Sequence, residues 1–284
     1  MTLLPRCVVS IVYVILISSL CAGQGRVDAA KRRYSETPFD PSVDRLPANY
    51  QGNDADRIYR LIEKREKSRT KGEFETSEQH QTRLERQDEQ PLIGPLQIGS
   101  LFAFKTAELK FRYDADKGVM ELYVPTSFAV DDADQIDSSR LALKIQESIS
   151  YRSYPASNAF GATTMVKEKD VRSIEVGVVN APNFELRNDP DPYLDCFYGP
   201  DVRCFYGELH LAPEQARRLE QSARVLVIGS LARPPIGKGA SLGEATIESP
   251  SSYFGQVRYV NMTVSEIWIY RPETGTVFLK ILPK

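Results

Sequence analysis

From Leu92 onward the chain is written in short runs of β-branched and aromatic residues, each cut off by glycine, proline or a cluster of acidic side chains. That punctuation points to an antiparallel β fold. Leu109–Tyr113 and Val119–Val124 flank Asp114-Ala-Asp-Lys-Gly118, and Ile267–Tyr270 and Thr276–Ile281 flank Arg271-Pro-Glu-Thr-Gly275. Each reads as a hairpin whose glycine supplies the positive φ of the turn. Further strands are expected at Ser100–Phe104, Leu143–Ser150, Thr163–Lys167, Ser173–Val179, Tyr206–Leu211, Arg224–Leu231 and Tyr253–Val264. One helix interrupts the series at Pro213–Ser222, where proline suits a first helical position and Glu214–Leu219 favours the helix. About ten strands predict a mainly β domain over residues 91–284, an antiparallel sandwich or barrel-like curved sheet, preceded by one or two short helices.

Those helices occupy a lead-in over residues 52–90. Ala55, Ile58, Leu61 and Ile62 recur at helical spacing, and Asn53 or Asp54 is placed to cap them. Thr76-Ser77-Glu78-Gln79 has the form of a capping box that opens a second helix ending near Asp88. Its only large apolar anchors are Leu84 and, just before it, Phe74, so it belongs on a surface. Residues 24–51 are charged, carry Pro38, Pro41 and Pro47, and show no period, which reads as a flexible tether.

Ahead of the tether, Cys7–Leu20 is apolar apart from three serines, follows Arg6, and precedes the small residues Cys21, Ala22 and Gly23. This is the pattern of a signal peptide over residues 1–23, so the working protein is expected to be exported, periplasmic or secreted. The charge-free run continues to Gly25, which leaves an uncleaved anchor over residues 7–25 as the competing reading. Losing Arg6 takes the formal charge from −2 to −3. That balance gives no bulk attraction to nucleic acid or to an anionic membrane. The expected partner is a protein or an envelope polymer, with membrane contact only through an uncleaved leader.

Export also governs the cysteines. Cys7 and Cys21 lie in the leader, leaving Cys196 and Cys204 to pair as a disulfide across the Gly199-Pro200 turn and staple an excursion over residues 180–206. Tyr193, Phe197, Tyr198, Phe205 and Tyr206 crowd that excursion and form the candidate binding surface. A second candidate is the glycine-rich run Gly229–Gly243, read as a mobile loop on which Arg233 and Lys238 meet an anionic group; its Gly237-Lys238-Gly239 lacks the order of a phosphate-binding loop. His80 and His210 have no partner at metal-ligand spacing, and the acidic clusters at 131–137 and 188–195 do not follow a calcium-loop pattern, so neither metal nor cofactor is expected. No catalytic residue is identified. The leading expectation is a non-enzymatic binding or structural component of the envelope or extracellular space. The alternative is an exported hydrolase of an envelope polymer, whose mark would be two carboxylates converging in a concave site.

Overall fold

The computed structural model describes residues 34–106, 108–130, 136–157, 161, 163–188, 203–246 and 248–284. Two helices come first, α1 (Ala55–Lys67) and α2 (Ser77–Glu89). Asp54 caps α1 by accepting from the Arg57 amide, and Thr76 and Gln79 close the expected capping box on α2. Eleven strands follow: β1 (Leu101–Thr106), β2 (Lys110–Asp114), β3 (Val119–Pro125), β4 (Ser127–Val130), β5 (Ile136–Ser157), β6 (Thr163–Val178), β7 (Leu186–Asn188), β8 (Arg203–His210), β9 (Arg224–Gly243), β10 (Ser251–Tyr270) and β11 (Val277–Ile281). Helix α3 (Pro213–Ser222) links β8 to β9.

Two sheets result, so the chain is mainly β and layered, and it is not a closed barrel. The smaller has the order β2-β3-β8-β7; the larger runs β1-β9-β10-β6-β5-β4, with β11 also pairing β10. Within the larger sheet β5–β6 and β9–β10 are antiparallel hairpins lying side by side, and the seam between them, β6 against β10, is parallel from Ser251↔Lys167 to Met262↔Val178. Between the sheets, Phe102, Phe104, Val176, Val227 and Met262 face Met120, Leu122, Val124 and Phe205, and Ile58 and Ile62 of α1 join the same cluster. Each such side chain contributes about 1.5–3 kcal/mol of burial, which fixes the pairing of the two layers.

Composition misreads the segment before α1. Residues 34–51 are not a tether: Phe39 and Leu46 are buried on the outer side of the larger sheet against Trp268 and Tyr270. The Leu46 amide donates to the Gly275 carbonyl, and the Asn53 side chain ties the Ala103 amide to the Ser35 carbonyl. Scattered apolar residues without a period suffice here because the sheet supplies the flat surface they need.

The four long strands decide where function can lie. β5, β6, β9 and β10 contain 22, 16, 20 and 20 residues, well beyond the ~5–6 typical of a strand. Only one half of each reaches the core. The other halves project as a four-stranded blade in which every residue of β5 from Glu147 to Pro155 is exposed.

Candidate functional site

Of the residues that the sequence proposes for binding, Phe205, Tyr206, Arg233 and Lys238 are described. Tyr193, Cys196, Phe197 and Tyr198 lie outside the described residues. No disulfide is found among the described residues, and Cys204 is fully buried beside Tyr123 and Tyr206. Phe205 does not project from a loop: it points between the sheets with its ring edge-on to Phe184, centroids 5.2 Å apart. Strand alternation is the reason, since β8 sends Phe205 inward and Cys204 and Tyr206 outward. Nor is Gly229–Gly243 a loop. It is the second half of β9, held by β10 through pairs such as Lys238↔Arg258 and Ser241↔Gly255, with Arg233 and Lys238 on its exposed stretch.

Tyr206 sits in a polar cluster on the outer face of the smaller sheet. The register places Glu121 opposite Glu208 and Tyr123 opposite Tyr206. The Tyr206 hydroxyl donates to Glu208 Oε2 at 2.9 Å and lies 3.4 Å from Glu121 Oε1, while the Tyr123 hydroxyl donates to Glu121 Oε2 at 3.0 Å. The Arg187 guanidinium stacks on the Tyr206 ring, 3.3 Å from its centre. Burial, followed by the bond to Glu208, pushes the Tyr206 phenol well up, and burial with the Glu121 bond does the same to Tyr123. Both tyrosines are therefore held as hydrogen-bond donors, the wrong state for a nucleophile or a base.

The blade offers a different chemistry on each face, because period-2 alternation and in-register pairing stack residues of one parity together. One face carries Arg152, Glu168, Asp170 and Arg172 and bounds an open groove of about 750 Å³ with Tyr154, Leu242 and Phe254. Its charges are paired internally: Arg152 Nη2 donates to Glu168 at 2.9 Å and Arg172 Nη2 to Asp170 at 3.1 Å. The opposite face aligns Tyr151, Lys169 and Tyr253 in one row and Ser153, Lys167 and Ser251 in the next. The Lys169 ammonium stands 6.0 Å above the Tyr253 ring, and that ring lies over Gly255, where any Cβ would collide with it.

At the foot of this second face Glu175 is buried. Its carboxylate accepts from Ser173 Oγ at 3.0 Å and Ser127 Oγ at 3.2 Å, and burial raises its pKa above the ordinary carboxylate value. Two hydroxyls and the nearby Lys144 offset part of the desolvation. A cavity of about 80 Å³ beside it admits little more than water. Among the described residues no three histidine, cysteine or carboxylate side chains are grouped to hold a metal ion.

Sequence reasoning found pieces of the blade, Thr163–Lys167 among them, but missed its continuity because the stretches between them carry no local strand signature. Lys167-Glu-Lys-Asp-Val-Arg172 reads as a charged break, and Pro234, Pro235, Gly237 and Gly239 read as a loop. A usable signal was the sign alternation at 167–170, which in a strand sorts lysines to one face and carboxylates to the other. Comparison with protein-family models, with curated proteins and with solved structures finds no match to this chain.

Proposed function

We propose that the chain is an exported, non-enzymatic binding module that engages its partner through the four-stranded blade. One observation carries this reading. Of eight large apolar side chains left exposed among the described residues, five belong to the blade: Ile149, Tyr151, Tyr154, Met165 and Leu242. Apolar exposure gathered at one place marks an interaction site more than scattered exposure does. The long edges favour the same use. β4 pairs β5 only as far as Ala142, and β1 pairs β9 only as far as Ser230, so no described strand covers the remaining edge of either. The Cys7–Leu20 leader supports export.

Against the hydrolase alternative stand the engagement of Glu121 and Glu208 by the Tyr123 and Tyr206 hydroxyls and the pairing of Arg152 with Glu168 and of Arg172 with Asp170 in the groove. A Cys196–Cys204 staple belongs with the exported reading, and intact mass of the secreted chain before and after reduction tests it.

Affinity capture from the native envelope tests the binding function. The double variant Tyr151→Ser, Met165→Ser is expected to lose the captured partner, whereas Phe74→Ser, which removes a still more exposed ring from the α1–α2 connection, retains it. Undiminished recovery by the blade variant overturns the reading.

A further inference from the structure

We infer that the lysine-bearing face of the blade docks on an anionic lipid surface. The inference rests on the blade being the binding element and adds the chemistry of what it binds. The sidedness of charge carries it. On this face the foot holds Lys144 with its carboxylate partners Glu108 and Glu147, the buried Glu175, and Arg140 over the Tyr259 ring; in the blade half above it the charged side chains among the described residues are Lys167 and Lys169, whereas Glu168 and Asp170 point to the other face with Arg152 and Arg172. Lys167 has no ion-pair partner among the described residues, and Lys169 leans on Tyr253. A chain with a slightly negative overall balance thus presents one locally basic plane.

The same plane exposes Ile149, Tyr151 at 73 % and Met165 at 55 %. Pairing sets these within a few strand spacings of both lysines, with Tyr151 directly across from Lys169 and Pro155 across from Met165. An occupant must meet two ammonium groups and cover aliphatic and aromatic side chains in one contact. A soluble acidic polymer satisfies only the first demand and leaves Ile149 and Met165 in water. A bilayer interface satisfies both, since tyrosines and lysine heads settle at the headgroups while the apolar parts enter the acyl boundary.

Flotation of the full mature chain with vesicles tests this. Phosphatidylcholine vesicles alone are expected to bind weakly, and the same vesicles containing phosphatidylglycerol strongly, with the difference shrinking as salt rises. Removing one lysine should weaken binding roughly fivefold, so Lys167→Gln with Lys169→Gln should weaken it roughly twenty-five-fold. Met165→Ser should weaken binding to both kinds of vesicle. Far-UV circular dichroism confirms that each variant is folded. Equal binding to the two vesicles, or binding indifferent to the lysines, overturns the inference. So does displacement by inorganic phosphate or soluble polyglutamate with no effect of Met165→Ser, which would assign the face to a free anion or an acidic polymer. If vesicles fail to bind while envelope capture still depends on Tyr151 and Met165, the lipid assignment falls alone. If capture is also indifferent, the blade reading falls with it.

Discussion

Glu175 shows how one side chain can be legible in type and illegible in role. Its strand reads correctly from Ile174, Val176 and Val178, which face the core. Strand alternation alone would send Ser173 and Glu175 to solvent, but Ser127 on β4 reaches the carboxylate and the site is closed. Burial raises its folded pKa above the unfolded value. Stability linked to this group is therefore full below the unfolded pKa and is lost as pH rises through the folded one. Glu175→Gln removes the charge and still offers each serine hydroxyl a partner, the amide oxygen accepting from one and the amide NH2 donating to the other. It is expected to raise Tm at neutral pH by roughly 2–4 °C per kcal/mol relieved, and to make no difference below about pH 4, where the unfolded carboxyl is itself protonated. Thermal unfolding across pH checks this; a gain independent of pH would refute it. The opposite case is Glu75, whose carboxylate takes hydrogen bonds from Arg83 and the Gly72 amide, with His80 Nδ1 3.2 Å away, and whose pKa is drawn down to about 2. That clamp fixes the α1–α2 connection and leaves Phe74 93 % exposed.

Elements with local start and stop signals were legible. The helices fall within a residue or two of their expected limits, α3 from Pro213 to Ser222, because caps and a leading proline are read from adjacent positions. Both hairpin turns close on the expected glycines, Gly118 at φ +64° and Gly275 at φ +69°. Only the structure shows that Gly275 has a second duty, since a Cβ there would fall on the Leu46 carbonyl oxygen. Gly275→Ala is accordingly expected to destabilise the fold by about 3 kcal/mol or more and to expose the Leu46 amide to hydrogen exchange. Gly118→Ala, strained but uncrowded, should cost about 1 kcal/mol. Equal urea midpoints for the two variants would count against this distinction. The long strands were legible in their core halves, where apolar alternation survives, and in the blade over Thr163–Lys167 and the near ends of Leu143–Ser150 and Tyr253–Val264; their continuity from core to blade is imposed by partners distant in sequence.

At the scale of the whole molecule, the mainly β class follows from the punctuation of the chain, but the arrangement of its two sheets does not. Hairpins are local and announce themselves, whereas the parallel seam between β6 and β10 joins stretches separated by β7, β8, α3 and β9. The candidate site inherits that difficulty, because each blade face exists only once the seam has set the two hairpins in register. The seam also has a kinetic meaning. Contacts so distant in sequence close late, and until they do, β5–β6 and β9–β10 are separate ribbons, each marginal by itself. Pulse-labelled hydrogen exchange during refolding should show amides of the β5–β6 turn-proximal pairs, such as Tyr154↔Val166, protected before those of Val257↔Ser173; simultaneous protection would refute this order. A sheet whose middle strand, β10, follows all but one of its neighbours in chain order remains incomplete while the rest of the sheet is being synthesised. Until β10 is in place, the facing edges of β6 and β9 stand unpaired, two open templates for any strand they meet.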